Sequence, residues 1–265
     1  MLEMNDREKF LFDLRGYLHV PDFLTQDEVD KMNKAVDAHE GQATDDDKMY
    51  GGGMLGTKNR RGLGGCVTWE KPHCQPFRDL IAHSKLIPYL NTILGRGWRL
   101  ESPPGVTTSP NGAGGHGLHG TTSRLFNGHE CYVHTNGQIR AGLTILQVQL
   151  HDINPGDGGI AVIPGSHKAN YKCPEEILLY EEDREVVYNV ASKAGDLVIF
   201  MEATIHGALP WTADHERRSL LYRYCPRHMQ WASHNYGEHK LPEWTKELNE
   251  VQRAVLEPPY MDNRP

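Results

Sequence analysis

The run Leu197-Val-Ile-Phe-Met-Glu202-Ala-Thr204-Ile-His206-Gly-Ala-Leu-Pro-Trp-Thr-Ala-Asp-His-Glu-Arg217-Arg218-Ser-Leu-Leu-Tyr222 decides the fold of this chain. An apolar, β-prone stretch is followed by an imidazole. Eleven residues on, a guanidinium opens a second strand-like stretch. Two strands joined by a polar turn rich in Pro, Thr and Asp read as one hairpin of a larger β architecture. A neutral imidazole ligates iron, zinc or copper. A guanidinium is permanently charged and grips a carboxylate with two parallel hydrogen bonds. A metal ligand one hairpin away from a carboxylate clamp implies a metal that works with a carboxylate co-substrate. Arg217 and Arg218 are adjacent, so strand alternation sends one of them inward. The spacing from His206 favours Arg217.

Working outward, the same punctuation recurs from Trp98 onward. Short apolar runs at 143–150, 160–163, 186–190, 197–204 and 219–224 are separated by Gly, Pro, Asn and Asp. Such spacing predicts a jelly roll, a double-stranded β-helix of the cupin kind. Upstream, helical signals dominate. Asn5 caps a helix to about Leu14, and a short strand over 16–20 stops at Pro21. Thr25-Gln-Asp-Glu28 is a capping box opening a helix to about His39. A stretch from Pro76 to Leu94 reads as helix, kinked or split by Pro88. Residues 41–66, with Gly51-Gly-Gly, read as a long loop and a natural lid. The expected organisation is one domain over 1–265. Helices in 1–95 pack outside a barrel at 98–228, and a polar extension at 229–265 carries a helix near Trp244 to Leu256.

Composition narrows the function. The chain has 265 residues and a formal charge of −7, which argues against a nucleic-acid groove. No apolar run approaches the roughly 20 residues that span a bilayer. The charged N-terminus lacks the apolar core of a signal peptide. Cys66, Cys74, Cys131, Cys173 and Cys225 are odd in number and form no CxxC, so they read as free thiols in a reducing, cytoplasmic setting.

Besides His206, the metal candidates lie in Gly112-Ala-Gly-Gly-His116-Gly-Leu-His119-Gly-Thr121-Thr122, read as a glycine-rich turn. Structural alternatives stand beside each of them. His206 could be a core histidine held by a carbonyl, and Glu202 could pair with Arg217 or Arg218. His129, His134, His151 and His167 read as structural or substrate-facing.

The ordered set of motifs resembles the phytanoyl-CoA dioxygenase family of iron(II)- and 2-oxoglutarate-dependent oxygenases. Leu14-Arg-Gly-Tyr-Leu-His-Val-Pro-Asp-Phe-Leu-Thr-Gln-Asp-Glu-Val resembles the family's opening strand and helix. Leu86-Ile-Pro-Tyr-Leu-Asn-Thr-Ile-Leu-Gly resembles its second helix. Gly158-Gly-Ile-Ala-Val-Ile-Pro-Gly-Ser-His-Lys168 resembles its most specific signature. His206 and Arg217 match its distal metal histidine and its 2-oxoglutarate arginine. The resemblance implies a jelly roll, Fe(II), 2-oxoglutarate as co-substrate, and oxidation of a small organic molecule with release of succinate and CO2.

One departure matters. The family's His-x-Asp reads His119-Gly120-Thr121 here, so the carboxylate of the usual two-histidine, one-carboxylate triad is missing. Three readings meet this gap. Glu202 supplies the carboxylate, because in an extended strand Glu202, Thr204 and His206 share a face. Alternatively the position is left to water or halide, as in related halogenases, although Thr121 is bulkier than the small residue those enzymes carry. Or the barrel is non-catalytic. His116 could replace His119 if the turn shifts. Thr204 could join Arg217 on the co-substrate. Lys58, Arg60, Arg61 and Trp69 could meet an anionic or aromatic substrate.

Overall fold

The computed structural model describes residues 2–45, 54, 59–120, 128–231 and 241–260. Helix α1 (Asp6–Arg15) starts at Asn5, whose side chain accepts the Glu8 N–H while Glu8 returns the bond. It ends at Gly16, which adopts the left-handed conformation that glycine takes without a Cβ clash. Strand β1 (Tyr17–Val20) follows. Helix α2 (Gln26–His39) carries the second capping box, on Thr25 and Glu28. Both caps satisfy N–H groups that a helix start otherwise leaves open.

Two short strands then interrupt the expected lid, β2 (Thr44–Asp45) and β3 (Arg61–Leu63). They pair with each other at the sheet edge. The rest of that segment, 46–53 and 55–58, lies outside the described residues, and Lys58 with it. The expected 76–94 helix is two helices, α3 (Gln75–Leu80) and α4 (Ile87–Leu94). The break falls before Pro88, not at it. Pro88 sits in the first turn of α4, where a missing N–H costs nothing.

The β region holds β4 (Arg99–Ser109), β5 (His116–His119), β6 (Tyr132–Thr135), β7 (Gln138–Ala141), β8 (Thr144–Gln149), β9 (Gly159–Val162), β10 (Tyr188–Asn189), β11 (Leu197–Met201), β12 (His206–Leu209) and β13 (Arg217–Cys225). A short helix, α5 (Glu175–Leu178), separates β9 from β10, and α6 (Glu250–Ala254) is the helix of the extension. One sheet runs β1-β11-β8-β13-β4-β3-β2 and the other β10-β9-β12-β5, with every strand pair antiparallel. This is the jelly-roll arrangement of two facing sheets, with β6 and β7 forming a separate hairpin.

Alternation along the strands divides the core. Leu146, Val148, Leu197, Ile199, Leu220, Tyr222 and Tyr224 pack outward into a large cluster with the helices. There the Tyr222 and Tyr224 hydroxyls donate to the Phe77 and Ile81 carbonyls, tying β13 to α3. Ile145, Val198 and Phe200 of the large sheet meet Ile160 and Val162 of the small one in a second cluster between the sheets. Trp69 belongs to the outer core. It stacks on His39 at 3.9 Å and meets Phe77 edge-on, so it is not placed to contact a substrate. The five cysteines are free, and no helix among the described residues is long and apolar enough to cross a membrane.

The most specific sequence signature has a structural purpose. Its Ser166 hydroxyl accepts the Ile205 N–H at 2.8 Å, and the Ile163 N–H bonds the Ile205 carbonyl. Both bonds fix the residue just before His206. Its His167 is buried, and its Nε2 donates to the Asp13 carbonyl at 3.0 Å. Burial pushes His167 down to about 4. Between that value and the ordinary 6.5 the unfolded chain binds a proton that the folded chain refuses. Stability conferred by neutral His167 is therefore complete above pH 6.5 and falls as pH drops toward 4, by about 3 kcal/mol. Urea unfolding across this range should show the loss, and His167→Gln should flatten it.

Candidate metal centre and co-substrate pocket

His206 opens β12 directly opposite His119 at the end of β5. The expected glycine-rich turn at 116–119 is thus a strand, and pairing across the small sheet brings the two imidazoles together, with ring centroids 4.2 Å apart. Each ring is fixed by its own backbone. His206 Nδ1 bonds the Thr204 carbonyl at 2.7 Å, and His119 Nδ1 bonds the Gly117 carbonyl at 3.0 Å. That leaves each Nε2 available, the tautomer a metal requires. Burial, reinforced by neighbouring His119, holds His206 well below the ordinary histidine range and keeps it neutral.

The third corner is Glu202, whose carboxylate lies 3.9 Å from His119 Nε2. His119, Glu202 and His206 each offer a ligand atom, and these atoms lie within 4.8 Å of one another. Two imidazole nitrogens and one carboxylate oxygen suit non-haem iron(II). His116 meets His119 edge-on at 4.5 Å but is outside this three-donor group. Among the described residues, Glu202 does not pair with an arginine. Arg218 turns to the outer face instead, where Asp37 and Glu216 hold it.

The route by which Glu202 arrives differs from the expectation. Strand β11 stops at Met201, and Glu202 and Ala203 form a turn. The Glu202 N–H donates to the Leu143 carbonyl, and the Leu143 N–H to the His129 carbonyl. A turn, not strand alternation, therefore aims the carboxylate at the histidines. Thr204 is consequently not turned toward the co-substrate, because its hydroxyl donates to the Gly16 carbonyl at 2.8 Å. Its contribution is the carbonyl that orients His206.

Gly120 closes the arrangement. Its φ is +145°, and a Cβ there would sit 2.8 Å from the Thr204 carbonyl oxygen and 2.9 Å from Ile205 Cα. Only glycine lets the chain leave His119 this close to the His206 strand. Gly120→Ala should cost about 1–3 kcal/mol in urea unfolding and weaken metal binding together. Thr121 lies outside the described residues.

Arg217 begins β13 opposite Ser109 on β4 and faces inward, opposite in direction to Arg218. It is 7% exposed, and its Nε is without a hydrogen-bond partner. No described carboxylate lies within ion-pair distance of it, and burial, then neighbouring Arg60, lower it to about 10. A buried cation without a counter-ion is costly and marks a place where an anion binds. Nearby donors have open capacity. Ser219 donates to Gln149 Oε1, which leaves Gln149 Nε2 buried without a partner, and the Ser109 hydroxyl is likewise unpartnered.

Two features escape single-sequence reading. Arg60, inside the expected lid and read there as a substrate contact, is instead buried beside Arg217. Glu130, in a turn at Gly128–Glu130, is raised above the ordinary carboxylate range by burial, with neighbouring Glu202 adding to the effect against His129 and His119. Both placements depend on long-range pairing that no local motif encodes.

The phytanoyl-CoA dioxygenase family model matches residues 12–219. No curated protein sequence matches the chain. Among solved structures, HygX from Streptomyces hygroscopicus with nickel, 2-oxoglutarate and hygromycin B bound is similar at 19% identity. Its TM-score is 0.69, covering 86% of this chain and 90% of that one. EctD from S. alaskensis with 2-oxoglutarate and 5-hydroxyectoine gives 20% identity and TM-score 0.61, over 84% and 76%. The epimerase SnoN from nogalamycin biosynthesis gives 19% and 0.60, over 84% and 82%. The structural matches carry the fold and the family model carries the kinship: the chain belongs to the phytanoyl-CoA dioxygenase family and is a 2-oxoglutarate-dependent dioxygenase.

Proposed function

We propose that this enzyme oxidises a small organic molecule at an iron(II) centre held by His119, His206 and Glu202. Arg217 holds the distal carboxylate of 2-oxoglutarate. The observation that carries the proposal is the three-donor group, in which a glutamate from the β11–β12 turn stands where the family's aspartate is missing. Iron(II) held there would, with 2-oxoglutarate and dioxygen, supply oxidative decarboxylation to succinate and CO2, one oxygen atom of O2 entering succinate and the other oxidising a substrate C–H bond.

The chain's own contribution is placement. The Thr204 and Gly117 carbonyls lock both imidazoles with Nε2 toward the metal position. Leu143 anchors the Glu202 backbone. Arg217 supplies fixed positive charge in a water-poor pocket, where a charge-assisted pair is strong. Facing Phe200, Ile145 and Val162 keep the inter-sheet space apolar. The bound 2-oxoglutarate in HygX and EctD supports this co-substrate. A halogenase reading needs an open third position, which Glu202 as a ligand would fill.

Anaerobic addition of iron(II) and 2-oxoglutarate to the purified protein is expected to give the weak visible metal-to-ligand charge-transfer band. Air should then yield succinate. No band at saturating reagents would sink the proposal.

A further inference from the structure

Arg60, offered by the sequence as a substrate contact, is a buried neighbour of Arg217. Strand β3 pairs with β4 through Gly62↔Thr107 and Leu63↔Val106. Continuing that antiparallel register two residues beyond Gly62 sets Arg60 opposite Ser109. On the other side of β4, Ser109 pairs with Arg217. Residues opposite one another on neighbouring strands share a face. Arg60, the residue just before β3, therefore falls in line with the Ser109–Arg217 pair, on the face toward the small sheet. Neighbouring strands lie about 4.8 Å apart, so the two arginine backbones flank Ser109 at about 10 Å.

All three are buried, with Arg60 4% exposed, Ser109 2% and Arg217 7%, and alternation sends their neighbours Arg61, Thr108 and Arg218 to the opposite face. Arg60 Nη1 donates to the Gly115 carbonyl at 3.5 Å. A Cβ at Gly115 would lie 2.4 Å from the Ala208 carbonyl, which puts this contact directly against β12. On the far side, a Cβ at Gly159 would lie 3.2 Å from Arg217 Nε. Gly159 thus leaves room for the Arg217 guanidinium, while the Gly115 carbonyl, packed close to β12, receives Arg60. Arg217 meets no described carboxylate there, and the Ser109 hydroxyl and Gln149 amide add donors without a partner. Arg60 is close enough to lower Arg217, so an anion bound at Arg217 would relieve that repulsion.

We infer that Arg60 is the second cation of the co-substrate pocket, sharing with Arg217 the distal carboxylate of 2-oxoglutarate. The inference rests on the proposed iron and 2-oxoglutarate reading and adds a binding residue from outside the barrel. It also makes the pocket selective. A 2-oxo acid without a distal carboxylate gains nothing from Arg60.

The test is an anaerobic titration of iron(II)-loaded protein with 2-oxoglutarate and, separately, pyruvate, read by the charge-transfer band. Wild type, Arg60→Gln and Arg60→Lys are compared, and melting curves confirm that each is folded. Arg60→Gln is expected to weaken 2-oxoglutarate about 10–100-fold, the worth of one hydrogen bond to a charged group. Pyruvate should change less than about twofold, and Arg60→Lys should recover much of the loss, since it keeps the charge. Equal weakening for both acids would mean that Arg60 only supports the fold, and unchanged 2-oxoglutarate binding would mean that it serves the substrate. Either result overturns the inference while leaving the iron site intact. A wild type without a band for either acid overturns both.

Discussion

Glu202→Ala should abolish iron-dependent succinate formation and weaken iron(II) binding by more than roughly 100-fold. Removing a mere outer-shell partner of a metal ligand costs about 10–100-fold, and a charged direct ligand exceeds that. The fold should survive, because Glu202 is held by its backbone N–H and its carboxylate meets only His119 among the described residues. Glu202→Gln separates charge from shape. It keeps the side chain's length and removes the anion that offsets the metal's charge, so it should resemble the alanine variant. Iron affinity by equilibrium dialysis, alongside the melting temperature, reads both effects. Retained affinity in Glu202→Ala would show that the carboxylate is only a neighbour of His119.

Arg217→Gln should raise the KM for 2-oxoglutarate by at least about 30-fold while changing kcat at saturation far less. Truncating one side of a buried, hydrogen-bonded charge pair costs about 2–5 kcal/mol, and 1.4 kcal/mol is tenfold. The stability effect runs the opposite way. Without 2-oxoglutarate, Arg217 is a buried cation beside Arg60 with no described counter-ion. Relieving that should leave the protein without 2-oxoglutarate at least as stable as wild type. Added 2-oxoglutarate should raise the melting temperature of wild type and not of the variant. A variant that melts early with or without 2-oxoglutarate would assign Arg217 a structural role instead.

Much of this was legible in the chain, for physical reasons that differ by element. The caps at Asn5 and Thr25 are local, so two residues three apart reveal them. Short apolar runs between turn residues marked β8, β9, β11 and β13, and the spacing from His206 picked Arg217 over Arg218 as the inward residue. Glu202 came to the histidines by a route that alternation misdescribes. The strand ends one residue earlier, and a turn bonded to Leu143 aims the carboxylate. The same error placed the Thr204 hydroxyl near the co-substrate, whereas it bonds Gly16. Trp69 looked available for a substrate because it follows the loop read as a lid, yet ring stacking on His39 draws it into the core. The alignment of Arg60 with Ser109 and Arg217 was invisible because it exists only in the register of three strands distant in sequence.

The central claim is that a glutamate from the β11–β12 turn replaces the absent aspartate at the metal. Its most direct measurement is an anaerobic crystal structure with iron(II) and 2-oxoglutarate bound. The account predicts a Glu202 carboxylate oxygen about 2.1 Å from the metal, a typical carboxylate–metal distance, beside His119 and His206 Nε2. Water, halide or another side chain in that position, with Glu202 turned away, would contradict it.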